Sequence, residues 1–335
     1  MRYNLSLMNP TDHDRLPPET PSASDIERAA ERIRPHAHRT PVLTCAGLDE
    51  RVGAKLFFKC ENFQKVGAFK FRGACNAVLS LEPGQAARGV ATHSSGNHAQ
   101  ALALAARLRS IPAHIVMPDN SPKVKVEAVR GYGGRIVFCN PTQEARERSL
   151  QEVVRATGAE FIHPYNDPRV IAGQATAARE LLEQAADLQL ILVPVGGGGL
   201  ASGTALAARY WSPATRVVPV EPEAADDARR SLLSGSIQPS LSPRTVADGL
   251  RTSLGSLTFP ILRALVSEVV TVSEQAILQA MRLVWERMKV VVEPSAAVPL
   301  AALLEGELPV RGLRVGVILS GGNLDLDALP WQAGR

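Results

Sequence analysis

The chain has 335 residues, 45% of them hydrophobic and 21% charged, enough apolar material for a large core and for two lobes. A net charge of +4 without any lysine- or arginine-rich block, and only 4% aromatic residues, argue against a nucleic-acid partner. No apolar run approaches the length of a membrane span, so no membrane partner is expected.

Residues 1–23 are polar and proline-rich, lack the apolar core of a signal peptide, and read as a mobile arm. From Ser24 the pattern becomes regular. "SDIERAAERIRPH" predicts a helix capped by Ser24, with Glu27 three residues on completing a capping box. "KLFFKCE" predicts a strand. "GAFKFRGA" follows, with Lys70 between two phenylalanines, and "FRGACNAVLSL" predicts a helix just after Lys70. A lysine in that setting has two readings. Either its stem packs and its ammonium reaches water, or a dry, crowded place lowers its pKa and leaves a nucleophilic amine able to form a Schiff base.

Strands and helices then alternate. "GVATH" runs into a turn of Ser94, Ser95, Gly96 and Asn97 and the helix "HAQALALAARL". Hydroxyls and amides at a helix start suit a carboxylate, and read equally well as an ordinary cap. "AHIVMP", "SPKVKVEAVRGYG", "RIVFC", "TQEARERSLQEVVRATG" and "EFIHP" continue the series. Residues 88–164 are therefore expected to form a small mobile domain, with residues 24–87 and 165–335 building a larger one.

"LILVPV" is apolar throughout, as strands buried on both faces of a parallel sheet are. It ends in Gly196, Gly197, Gly198 and Gly199, and a helix begins at once. Such a loop lets a ligand approach the backbone and offers amides at the positive end of a helix, which predicts a phosphate site. It is neither a Walker loop nor a clear dinucleotide fingerprint. Past "TRVVPVE", Glu221, Asp226 and Asp227 lie in an acidic loop that spacing alone reads as a solvated helix start rather than a cation site. "EQAILQAMRLVWERM" predicts one continuous helix. "RVGVIL" then ends in Ser320, Gly321, Gly322 and Asn323; ligands bind at such strand ends, although a plain turn reads as well. His93, His98 and His163 fit no metal-ligand spacing. Cys45, Cys60, Cys75 and Cys139 show neither CxxC nor zinc spacing and read as reduced thiols of a cytoplasmic protein. The alternation as a whole predicts βαβ units with parallel-rich sheets, an α/β fold.

Taken together, "ENFQKVGAFKFRGA", "THSSGNHAQ", "PVGGGG" and "LSGGN" resemble the fold-type II pyridoxal-phosphate enzymes. Within them, the chain is most similar to serine racemase and the serine/threonine and 3-hydroxyaspartate ammonia-lyases. The resemblance runs from about residue 24 to the end, extended by "HPYNDPRVIAGQ", "TVADGL" and "LVWERMKVVVEPSAAVPLAAL". It implies a two-lobed fold of twisted sheets flanked by helices, and a homodimer. It implies that Lys70 holds pyridoxal phosphate, that Phe69 flanks the ring and that the four glycines cradle the phosphate. Asn97 would bond the ring hydroxyl and Ser320 would face the ring nitrogen. Ser94, Ser95, Gly96 and Asn97 would receive the substrate carboxylate. Glu221, the Ala225 carbonyl and Asp227 would hold a divalent cation (Mg²⁺, Mn²⁺ or Ca²⁺). Lys65, Tyr132 and Lys289 match positions that contact a nucleotide activator.

The implied reaction is β-elimination from a small 3-hydroxy amino acid (L-serine, L-threonine or 3-hydroxyaspartate), giving a 2-keto acid and ammonia. Lys70 would take the proton from the α-carbon. A neutral hydroxyl at Ser320 makes the ring a weaker electron sink, which suits fast loss of a leaving group better than transamination. Ser95, the second serine of "SSGN", permits the runner-up reading, a racemase in which Lys70 and Ser95 act on opposite faces. Arg146 matches an arginine near the family's active site and could pair with a second carboxylate, or be a solvated helix arginine. Tyr165 in "HPYNDP" changes the pocket wall relative to serine racemase. A β-replacement transferase fits the acidic loop less well, and a non-catalytic cofactor carrier does not explain Lys70 together with Ser320. No regulatory domain of the kind found on biosynthetic threonine deaminases is seen, so a catabolic role is expected.

Overall fold

The structure, a computed structural model, describes residues 16–331 apart from residues 122 and 307. Most of the arm expected over residues 1–23 thus lies outside the described residues. The strands are β1 (Val42–Leu43), β2 (Lys55–Cys60), β3 (Val90–His93), β4 (Ala113–Pro118), β5 (Arg135–Cys139), β6 (Glu160–Phe161), β7 (Leu190–Pro194), β8 (Arg216–Pro222), β9 (Val270–Val272) and β10 (Arg314–Leu319). The helices are α1 (Ala23–Ile33), α2 (Ala46–Val52), α3 (Lys70–Leu79), α4 (Pro83–Arg88), α5 (Asn97–Leu108), α6 (Lys123–Gly131) and α7 (Gln143–Thr157). They continue with α8 (Pro168–Gln184), α9 (Gly199–Trp211), α10 (Asp227–Ser234), α11 (Thr258–Leu265), α12 (Glu274–Leu283) and α13 (Pro294–Glu305).

One sheet has the order β1-β2-β10-β7-β8-β9 and the other β5-β4-β3-β6. Every pairing in both is parallel except β1 on β2. The apolar runs behave as expected of strands covered on both faces. β7 is buried along its whole length, and β10 from Val315 onward. At the edge of the smaller sheet, β5 has an exposed Arg135 and Phe138, so the pattern breaks where one side meets water.

Two expectations are corrected. The first helix is capped by Ser22, not Ser24: Ser22 Oγ accepts from the Asp25 amide, and the Asp25 carboxylate accepts from the Ser22 amide at 2.9 Å. The reciprocal box therefore forms two residues earlier, and Ser24 lies inside the helix. The continuous helix expected over "EQAILQAMRLVWERM" widens into a π-turn over Val284–Met288, after which Lys289 is left-handed at φ +60°.

The functional segments leave the C-terminal ends of parallel strands, where open α/β sheets bind ligands. β2 leads to Lys70, β3 to residues 94–97, β7 to residues 196–199, β8 to the acidic loop and β10 to Ser320.

Candidate active site

Lys70 opens α3, and its Nζ donates to the Pro164 carbonyl at 2.9 Å while lying 5.0 Å from the centre of the Phe69 ring. Burial pushes its pKa down to about 8, against the opposing pull of the Glu293 carboxylate. A useful fraction of the amine is therefore neutral near neutral pH, as the second reading of "GAFKFRGA" requires. The approach to Lys70 is tightly laced. Phe69 N donates to Ser320 O, Gly322 N to Gly67 O, and Ala68 bridges to Gly321. Val66 is held at φ +58°, a left-handed conformation that a β-branched residue adopts only under constraint.

The glycine loop follows β7. Among the described residues, none of the amides of Gly196, Gly197, Gly198 or Gly199 donates to a protein acceptor, and they lead directly into α9. Gly198 has φ +88°, and a Cβ there would stand 2.8 Å from Thr258. A Cβ on Gly197 would collide with the Tyr165 ring, and one on Gly199 would lie 3.0 Å from Tyr165 Cα. Pro164 and Tyr165 therefore join Lys70 to the loop, the first by accepting from its amine and the second by packing on the glycines. Unpartnered amides at a helix start beside a partly neutral lysine fit a cofactor that carries a phosphate and an aldehyde.

A second connection runs from Lys70 to the serine turn. Asn97 Nδ2 donates to both oxygens of buried Glu293 at 3.0 and 3.2 Å. Asn323 Nδ2 donates to Asn97 Oδ1 at 2.9 Å and to Val66 O at 2.6 Å, and Asn323 N donates to Glu293. Burial, with Asp248 adding to it, raises the Glu293 pKa to about 7. Asn323 was named only as the end of the "LSGGN" turn, and Glu293 was not singled out from sequence. The available signal was one acid inside the apolar run "VVVEPSAAVPLAAL". Ser94, Ser95, Gly96 and Asn97 are half-buried, and the Gly96 amide bonds Ser94 Oγ at 3.3 Å. Ser320 is buried at the end of β10.

Three histidines line the same region as neutral rings. Burial lowers His98 to about 3 and His163 to about 4, and it lowers His93 too. His163 Nδ1 accepts from the Tyr165 and Asn166 amides at 3.3 and 3.0 Å, which shapes the loop below Lys70. Arg146 on α7 is close enough to His93 to help lower its pKa, and its Nε is buried without a partner among the described residues.

The acidic loop is not a solvated helix start. Glu221 and Asp227 are both buried, as is Ala225. Glu221 accepts from the Ala228 and Arg229 amides at 3.0 and 2.7 Å, while Asp227 Oδ2 makes no well-formed hydrogen bond among the described residues, although the likewise unpaired Ser240 hydroxyl lies near enough to lower the Asp227 pKa. Burial raises their pKa values to about 8 and about 6. Two buried acids with an orphaned oxygen fit a hard cation. Lys65 stacks over Phe71, Tyr132 lies under Arg107, and Lys289 Nζ donates to the Glu286 carbonyl; no contact joins these three among the described residues.

The fold is that of an α/β enzyme, and its strand ends bring together a buried lysine and a glycine loop suited to a phosphorylated ligand. Residues 33–321 match the model of the pyridoxal-phosphate dependent enzymes, and the chain belongs to that family. It is 53% identical over 312 residues to a beta-hydroxyaspartate dehydratase of Paracoccus denitrificans, covering 93% of this chain and 99% of the relative. It is 52% identical to a serine racemase of Arabidopsis thaliana, covering 92% and 94%. A solved structure of maize serine racemase superposes with a TM-score of 0.90 at 48% identity, covering 93% and 96%. No helix among the described residues is long and apolar enough to cross a membrane.

Proposed function

We propose that the protein is a pyridoxal-phosphate dependent ammonia-lyase that dehydrates small 3-hydroxy amino acids, with 3-hydroxyaspartate as the preferred substrate. The observation that carries the substrate is Arg146, a cation beside the serine turn whose buried Nε lacks a protein partner. A second substrate carboxylate supplies the acceptor it lacks. Identity to the dehydratase of Paracoccus denitrificans supports the same reading.

Bound pyridoxal phosphate supplies an aldehyde for amines and an electron-withdrawing ring for the substrate's α-carbon. The glycine amides would receive its phosphate, Phe69 would flank its ring, and the Ser320 hydroxyl would pair with its ring nitrogen without adding charge. Asn97, oriented by Glu293 and Asn323, would bond the ring hydroxyl. Residues 94–97 bind the α-carboxylate. Lys70 Nζ would take the α-proton, the β-hydroxyl would take up a proton and leave as water, and the released enamine would tautomerise to an imine whose hydrolysis consumes one water and gives the 2-keto acid and ammonia.

Ser95 favours a second reading, racemisation, because by the family resemblance it would offer an acid/base opposite Lys70; the high identity to serine racemases agrees with it. Buried Glu221 and Asp227, with the Ala225 carbonyl, would hold Mg²⁺, Mn²⁺ or Ca²⁺. Residues 88–164, which contain the smaller sheet, would form a mobile lobe. Exposed Phe63 and Val291, on segments tied by an Asn62–Val291 bond of 3.1 Å, support a homodimer. A nucleotide activator near Lys65, Tyr132 and Lys289 rests on resemblance alone. Free cysteines support a cytoplasmic setting.

The test is keto-acid release with added pyridoxal phosphate and Mg²⁺, across both enantiomers of serine and threonine and the four 3-hydroxyaspartate stereoisomers, with chiral analysis of the remaining amino acid. Keto acid from a 3-hydroxyaspartate without inverted amino acid is the expected result. Inversion outpacing elimination, and abolished by Ser95→Ala, would make the protein a racemase instead.

A further inference from the structure

Two residues beyond Lys70, Arg72 is fully buried on the other side of α3. Positions two apart in a helix point nearly opposite ways, so Arg72 faces away from the site. Its Nε and Nη2 fork onto Glu61 at 2.7 and 2.8 Å, and its Nη1 and Nη2 grip the two Glu180 oxygens at 2.8 Å each. Nη1 also meets Thr176 Oγ1 at 3.1 Å. Lys59, fully buried as well, completes the cluster with Glu180 at 2.6 Å, the Thr40 carbonyl and Gln184. Two cations and two anions balance.

Stability alone does not account for such a cluster, because well-packed apolar residues usually serve as well as buried ion pairs. What it does supply is register. Thr176 and Glu180 lie on α8, and α3 is tied to α8 again through Asn76 Nδ2 to Arg169 O at 2.7 Å. Between these ties the backbones nearly touch: a Cβ on Gly173 would lie 2.6 Å from both Arg72 O and Gly73 Cα. The same α8 packs against α9, where a Cβ on Gly203 would lie 2.7 Å from Ala175 N. The loop before α8 also gives Lys70 its carbonyl partner, Pro164. One helix thus gauges both the lysine at the start of α3 and the glycine loop at the start of α9.

We propose that Arg72 is a positioning residue for Lys70: its forked contacts to Glu61 and Glu180 lock the first turn of α3 on α8 and so aim the amine relative to the glycine loop. This rests on the reading of Lys70 as the lysine that takes the cofactor. A lysine at position 72 keeps the charge but cannot make the fork.

The test uses Arg72→Lys and the charge-balanced pair Arg72→Met with Glu61→Gln. Ile277→Ala on α12, buried in a separate part of the core, controls for simple destabilisation. Pyridoxal phosphate is added to cofactor-free protein, and the rate and pH midpoint of the lysine imine absorbance are read beside thermal melting, kcat and KM. Both Arg72 variants are expected to lose about 10²-fold in capture rate and in kcat, with a moved pH midpoint, as misplacement by about an ångström does. Ile277→Ala is expected to melt earlier with unchanged capture rate and midpoint. If the pair does not fold, Glu180→Gln, at the wetter edge of the cluster, is expected to shift both readouts in the same direction. Arg72 variants that fold and capture cofactor at the wild-type rate and midpoint overturn the proposal, as does an Ile277→Ala effect of equal size. A wild-type protein that forms no imine overturns the Lys70 reading and this inference with it.

Discussion

On the side of the larger sheet, Lys70 and the loop before it are laced to residues 320–323, the glycines are crowded by Tyr165 and Thr258, and Ser320 is buried. On the side of the smaller sheet, the serine turn is half-exposed, Gly96 has open space around it, and Arg146 carries a buried Nε with no partner. The first side is held in shape by the protein itself, with only the glycine-loop amides lacking acceptors among the described residues, while the second is open and leaves a buried arginine nitrogen unpaired. A preorganised cofactor side beside an unsatisfied substrate side is what an enzyme needs that keeps one ligand and exchanges another.

The harshest way to break the better-packed side is Lys70→Ala. Turnover of every substrate is expected to fall by roughly 10³-fold or more, since on the proposed reading one group would supply both the covalent attachment and the base. The visible band of bound cofactor should vanish with it. Retained turnover in steady-state assays would remove Lys70 from the chemistry.

Arg146→Ala probes the unsatisfied side. A charged hydrogen-bond partner contributes about 1.5–3 kcal/mol, so kcat/KM for 3-hydroxyaspartate should drop by roughly 10- to 100-fold. Serine and threonine, with no second carboxylate, should change little, and melting should not move. An equal loss on all three substrates would make Arg146 structural.

The same asymmetry governs what could be read in advance. The better-packed side was legible because it is written in contiguous stretches: "PVGGGG" joins a buried strand to a helix, and "GAFKFRGA" opens another helix. Glu293 and Asn323, which connect Lys70 to Asn97, are 196 and 226 residues from Asn97 in sequence, a juxtaposition that only the fold creates. The acidic loop misled by spacing for a related reason. Nothing local distinguishes Asp227 on a solvated helix start from Asp227 buried with an orphaned oxygen. Arg72 and its partners Glu61 and Glu180 were invisible as a cluster for the same cause, since α8 supplies half of it.

Two glycines sharpen the contrast at a lower energy. Gly198→Ala forces a side chain into φ +88° and to within 2.8 Å of Thr258, at a cost of about 1–3 kcal/mol. Gly96→Ala meets nothing within 4 Å and has a negative φ, so it should cost less. Denaturant midpoints and cofactor dissociation constants would check both. Equal losses at the two positions would mean that the sides are equally close-packed.

The mildest effect is in pH. Burial raises the Glu293 pKa from 4.5 to about 7 in the folded protein. Between those values the folded chain holds a proton that the unfolded chain has released, so the contribution of Glu293 to stability is greatest below pH 4.5 and is lost as pH rises through 7. Lys70 runs the other way. Its folded pKa of about 8 lies below the unfolded 10.5, so the cost of its buried charge is present below 8 and is relieved as pH rises towards 10.5. The cofactor-free protein should therefore lose stability from these two groups towards pH 7 and regain it above 8. Glu293→Gln should flatten the acid limb and, by removing the carboxylate that holds the Lys70 pKa up, start the alkaline limb at lower pH, whereas Lys70→Met should flatten the alkaline limb. Denaturation midpoints from pH 4.5 to 10 for the three proteins would separate the limbs; an acid limb unchanged in Glu293→Gln would mean that the carboxyl linking the two sides of the site is ionised throughout, and that Asn97 is held by a charge rather than by a proton-sharing acid.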